Sequence, residues 1–308
     1  MPLFFPPDRR SSFRFAPLVC LMALLLLPSC ALVQPRSITF TNPNALPGLP
    51  SQPTVYNAND YLIERSQYVL SYNRSKLIPN WASWQLNRDW LGDRPRIPFE
   101  PDKTLPSGWE KVVPDDYTGS GFDRGHVVPA ADRNKTAEDS QAVFLMTNIL
   151  PQAPDNNRGV WEQLESYCRD LVAQGKELYI VAGGAGEGGT GEKGRKSTLS
   201  RVGISVPAAM WKVVLVNDRP ITDVAEITEN TRVIAVIIPN KQGIKESKWR
   251  DYQVSVDQVE VLTGYDFFPK IPQPIQETIE SKADVRSVPA PVKRSSKTSV
   301  KTSGDGGS

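Results

Sequence analysis

Four short apolar segments, Leu178–Ala182, Val202–Val206, Trp211–Val216 and Arg232–Ile238, are rich in β-branched residues and bounded by turn formers, so each reads as a strand. They follow a helical stripe instead of alternating with helices. In that stripe Trp161, Leu164, Cys168, Leu171 and Val172 fall at spacings of 3, 4, 3 and 1. Asn156 and Asn157 can cap its start, and Gly175 stands where a terminating glycine belongs. Thr136 to Asp139 resembles a capping box, with aspartate in place of the usual Glu or Gln, and predicts a short helix leading to a strand at Val143–Thr147. Ser255 to Gln258 opens a further helix that stops at Gly264. Strands and helices mix without a regular βα alternation, which makes the class α+β.

The ends of the chain read differently. Arg9, Arg10 and Arg14 precede an apolar run from Phe15 to Leu27 and then small residues, the order of an export signal over residues 1–30. The run is about 13 residues, against roughly 20 for a membrane-spanning helix. Leu27-Pro28-Ser29-Cys30 resembles a lipoprotein lipobox, in which Cys30 would be acylated; ordinary cleavage after Ala31 fits as well. The expected location is outside the cytoplasm: periplasmic, on the outer membrane as a lipoprotein, or secreted. Residues 31–53 read as a linker, 54–268 as the folded domain and 269–308, rich in Pro, Ser, Lys and Thr, as a disordered tail. Of three cysteines, only Cys168 lies in the domain, as a core filler with no disulfide partner.

A net charge of +2 is too weak to imply a polyanionic partner by itself, although a local basic groove of Arg74, Arg133, Lys135, Arg158, Arg195, Lys196 and Arg201 is compatible with it. Gly184, Gly186 and Gly189 satisfy a G-x-G-x-x-G pattern, but no apolar helix follows to receive a pyrophosphate. The stretch Gly183–Gly194 reads instead as a mobile hairpin loop. An arginine between Gly194 and Lys196 also breaks the P-loop signature.

The single histidine, His126, stands in Asp123-Arg124-Gly125-His126. Gly125 permits close backbone approach, Arg124 offers a fork for phosphate oxygens, and an imidazole with an ordinary pKa of about 6.5 can take a proton from water. The absence of His and Cys clusters argues against zinc. A hard cation such as Mg²⁺ needs only one or two oxygen ligands from the protein, and Asn148, Asn156, Asn157 and Glu165 supply candidates. Taken alone, the same residues read as a helix cap and an i,i+4 Glu165–Arg169 pair.

Asp-Arg-Gly-His followed within about forty residues by T-N-x-x-P-Q, an asparagine and W-x-x-L-E resembles the DNA/RNA non-specific endonucleases, the ββα-metal nucleases that include endonuclease G. The likeness extends over about residues 65–268, through Tyr68–Leu86, Val206–Val216, Val233–Asn240 and Tyr252–Phe268. It implies a mixed or antiparallel central sheet, a ββα-metal motif carrying the site, and a hydrolase acting on DNA and RNA with one Mg²⁺ or Mn²⁺ and leaving 5′-phosphates. By that resemblance His126 is the general base and Asn157 the metal ligand. Arg124 and Arg169 neutralise transition-state charge, Glu165 positions a metal-bound water, and Asp123, Gly125 and Asn148 support the site. Phe144 stands where many members have a second asparagine. The competing reading is a nucleic-acid-binding lipoprotein that keeps the fold without catalysis. A membrane, through Cys30, and a second copy of the chain are the remaining candidate partners.

Overall fold

The computed structural model describes residues 42–284. The export signal, Cys30 and the end of the tail lie outside the described residues. In chain order the strands are β1 (Tyr61–Glu64), β2 (Val69–Asn73), β3 (Ile78–Leu86), β4 (Asp123–His126), β5 (Ile149–Gln152), β6 (Glu177–Ala185) and β7 (Gly189–Gly191). They continue with β8 (Gly194–Lys196), β9 (Thr198–Leu199), β10 (Ile204–Ser205), β11 (Ala209–Asn217), β12 (Arg232–Pro239) and β13 (Gln253–Val254). The helices are α1 (Ala137–Val143), α2 (Glu162–Ala173), α3 (Val256–Thr263) and α4 (Gln273–Glu280).

A seven-stranded sheet in the order β1-β2-β3-β6-β11-β12-β13 forms the centre, and every pairing in it is antiparallel. Both of its faces are buried, so its strands read as nearly continuous apolar runs. Alternation along β11 sorts the two sides. Met210, Val214 and Val216 join the core beneath α2, whereas Trp211, Val213 and Leu215 join the core with Val256, Val259, Phe267 and Ile279 from the α3–α4 side. Lys212 shares the parity of Met210 and Val214 and is therefore carried under α2, with 1% of its side chain exposed.

Four expectations change. The strand expected at Val143–Thr147 is a helix end followed by a 3₁₀ turn, Met146–Asn148, and the extended segment starts at Ile149. Asn148 causes this: its Nδ2 donates to Val143 O and Val128 O while its Oδ1 accepts Val128 N, which folds the chain into a turn. Of the expected linker, residues 42–53 belong to the domain. Asn44 and Ala45 are fully buried, and Asn44 Oδ1 accepts from Gln85 N and Arg133 Nη2. Of the expected tail, residues 269–284 belong to the domain, since α4 packs Ile279 into the core and Asp284 pairs with Arg232 at 2.6 Å. The glycine-rich stretch is a hairpin, β7–β8, but it is tied down. Glu192 N donates to Gly121 O, Thr190 N to Asn240 O and Gln242 N to Thr190 O.

Arg133 is not surface charge. It is fully buried and donates to Gln67 O, Asp132 O, Gln85 O and Asn44 Oδ1, joining four chain segments. Removing it strands these acceptors in the interior, each at a cost of about 1–3 kcal/mol. Arg133→Met is expected to lower the unfolding free energy by about 3 kcal/mol or more, measured from urea denaturation midpoints.

Candidate active site

Strand β4 pairs with β5 in a two-stranded antiparallel ribbon, with Asp123 opposite Gln152 and His126 opposite Ile149. Six residues at Asn156–Trp161 form a π-helical turn that runs directly into α2. Ribbon and helix together are a ββα unit. The register requires a glycine at position 125: a Cβ there would lie 2.3 Å from Gln152 Oε1. Gln152 in turn donates to Asn156 Oδ1 and so joins the ribbon to the helix start.

Neither asparagine caps the helix, contrary to the simplest expectation. Asn156 donates to Pro239 O, and Asn157 Nδ2 donates 2.8 Å to Asp123 Oδ2. Asp123 also receives Arg158 Nε at 2.8 Å, and its pairing with this guanidinium is bidentate. A carboxylate can only accept, so it fixes the flip of the Asn157 amide: nitrogen toward Asp123, Oδ1 turned away and free. That oxygen is a hard donor suited to Mg²⁺ or Mn²⁺, which keep most of their water shell. Among the described residues no His or Cys group competes for a softer metal.

His126 sits at the other end of β4, 9% exposed, between aromatic rings. Phe99 lies 5.1 Å away and Phe144 meets it edge-on at 4.9 Å. Its Nε2 is buried and has no hydrogen-bond partner, so the nitrogen able to meet water is Nδ1. Burial, then the nearby Arg96 charge, pushes the imidazole pKa down to about 3. Phe144, in the place of an expected asparagine, thus forms part of the wall that keeps the ring neutral. Arg96 is exposed, lies over Phe144 at 5.2 Å, and flanks the histidine without having been singled out from sequence. Its surroundings, Asp93 to Pro98, carry no periodic signal that would have marked it. Arg124 stacks over Phe99 at 5.0 Å and donates to Pro114 O.

The remaining site residues lie beneath α2. Glu165 does not pair with Arg169 as its i,i+4 spacing suggested. Its Oε1 lies 3.9 Å from Lys212 Nζ, and Arg169 instead binds Asp132 at 3.0 Å and Ser166 Oγ. Burial pushes Glu165 up to about 7, with Lys212 opposing the shift and Asp132 adding to it. Lys212 lies over the ring of Trp161 at 4.1 Å, and Trp84 Nε1 donates to Asp132. Lys212, Asp132 and Trp84 escaped sequence reasoning because only the sheet register brings them under the helix. Asn148 is fully buried and holds the turn that leads into β5.

Residues 49–273 match the family profile of the DNA/RNA non-specific endonucleases. A nuclease from Nostoc sp. is 54% identical over 233 residues, 75% of this chain and 82% of its own length. The mitochondrial nuclease EXOG of Mus musculus is 32% identical over 213 residues, 67% of this chain and 56% of that protein. The solved structure of an EndoG/EndoGI complex superposes with a TM-score of 0.61 at 22% identity, covering 74% of this chain and 91% of that one; the likeness is one of fold.

Because the chain has one histidine, its imidazole protons form an isolated NMR signal. With the folded pKa near 3 and an unfolded value of about 6.5, the signal should stay at its neutral position from pH 8 to below pH 5. The same depression makes stability complete above about pH 6.5 and draws it down as pH falls toward the folded value. A midpoint near 6.5 in the folded protein would contradict the buried environment.

Proposed function

The chain belongs to the DNA/RNA non-specific endonuclease family and is a nuclease, and from that premise we propose that it hydrolyses DNA and RNA phosphodiesters without sequence preference, using His126 as base and one Mg²⁺ or Mn²⁺ ion. The observation that carries this reading is the pair of opposite preparations along β4. Asp123 orients a free amide oxygen at one end, and aromatic walls hold a neutral imidazole at the other.

When bound at Asn157, the ion supplies Lewis-acid polarisation of the phosphate. The residues of the chain do the rest. His126 Nδ1 accepts the proton of a water whose oxygen attacks phosphorus; the P–O3′ bond breaks, the 3′ oxygen leaves and takes a proton from solvent, and the product carries a 5′-phosphate. A pKa near 3 makes the free imidazole a weak base. An anionic phosphate beside it favours the imidazolium and raises that basicity as the substrate binds. Arg96 and Arg124 can meet the charge that gathers on the phosphoryl oxygens. Glu165, held against Lys212, is available to accept from water near Asn157, whereas Arg169 is committed to Asp132 and positions the helix. Contacts of this kind read the backbone alone, consistent with lack of base preference.

Export, with or without acylation at Cys30, remains part of the proposal and rests on the first 31 residues. Radiolabelled palmitate should mark the wild-type chain and spare Cys30→Ala; equal labelling, or none, rejects the anchor.

Full-length chain should degrade plasmid and RNA with Mg²⁺ and stop with chelator, and His126→Ala and Asn157→Ala should each lower kcat by about 10²-fold or more. Asp123→Asn removes the orienting charge while sparing volume. It should raise the Mg²⁺ concentration for half-maximal rate by about 10- to 100-fold. Full cleavage in chelator, or by His126→Ala, would overturn this mechanism.

A further inference from the structure

On the sheet face away from α2, the helices α3 and α4 bring a second set of oxygen donors together. Asp257, Glu260 and Glu280 each offer a carboxylate oxygen, and these oxygens lie within 4.8 Å of one another. Asp266 and Glu277 line the same open cavity of about 580 Å³. No ion pair among the described residues involves any of the five. Acidic clusters on surfaces are common and carry no meaning alone. The distinguishing member is Glu280: it is 4% exposed, and although Gln276 reaches its carboxylate, its Oε1 is buried with no hydrogen-bond partner.

A buried carboxylate oxygen without a donor is costly, and the surrounding carboxylates make it costlier. The charge it lacks is a cation. We propose that Asp257, Glu260 and Glu280 form a structural Ca²⁺ site, separate from the β4–α2 centre, that clamps α4 against α3.

The donor set discriminates between ions. Oxygen ligands about 2.4 Å from one Ca²⁺ lie at most about 4.8 Å from each other, which the three observed oxygens satisfy. Mg²⁺ demands near-ideal octahedral geometry and gives up its water reluctantly, which suits three protein carboxylates less well. An all-oxygen set also disfavours zinc and copper. The exposed rim residues leave room for water to complete a coordination of six or more. Glu260 already accepts Phe267 N through Oε1, so its carboxylate is held in place before a cation arrives.

The test uses the full-length chain carrying Asn157→Ala, stripped with chelator, so that the proposed catalytic metal site does not contribute. Calorimetric titration with CaCl₂ should show one ion bound with a Kd of about 10⁻⁴–10⁻³ M, and Mg²⁺ about tenfold weaker. At a hundredfold excess over Kd the melting temperature should rise by about 5 °C or more. Glu280→Gln should abolish both responses while its metal-free melting temperature equals or exceeds that of its parent, because the amide carries no charge to bury. In the otherwise wild-type chain Glu280→Gln should leave nuclease activity unchanged. Should that variant fail to fold, Asp257→Asn on the exposed rim decides, with Ca²⁺ affinity expected to fall about tenfold. No heat and no thermal shift up to about 10 mM CaCl₂, or unaltered binding in both variants, overturns the site.

Discussion

The hydrogen bond from Asn157 Nδ2 to Asp123 Oδ2 decides the chemistry of everything near it. An amide has two faces of opposite polarity, and in isolation it can present either one. Asp123, which also pairs with Arg158, offers acceptors and leaves the amide one orientation. The π-helical turn makes this contact reachable. It opens the helix with the Asn157 side chain on Asp123 of β4 and neither asparagine spent on capping. One acid at the start of a strand thus aligns a helix end with a ribbon.

Beneath the same helix lies an economy of charge. Asp132, Glu165, Arg169 and Lys212 are brought together in surroundings that also hold Trp84, Trp161 and Cys168, and each ion has a partner of opposite sign. Substituting one member of such a group by an apolar residue leaves another charge without compensation. That coupling places the polarity of Glu165 under control of the central sheet, since the register of β11 against β6 and β12 determines where Lys212 emerges.

The residues that sequence exposed best were those with a periodic or combinatorial signal. The stripe of Trp161, Leu164, Cys168, Leu171 and Val172 is entirely buried, and the four apolar segments lie in strands within a few residues of their expected limits. His126 and Asn157 stood out because their neighbours repeat a family pattern. What stayed hidden depends on distance along the chain. Nothing near Arg133 says that it is buried, since its acceptors come from positions 44, 67 and 85 as well as its own neighbour. Polar and proline-rich composition suggested that residues 42–53 and 269–284 lie outside the domain. Composition reports the chance of ordering, not the presence of a complementary surface.

Those two segments close on each other. Lys270 N donates to Pro47 O, Asp266 N donates to Pro50 O, and Gly48 lies so near Pro269 that a Cβ would come within 2.7 Å of its ring. Residues 47–50 therefore have no finished seat until residues 266–270 arrive. For a chain made from its N-terminus, the native domain cannot be completed while residues 266–284 are still in the ribosome. A nuclease built this way would mature late along its production line, after most of its length had already been released.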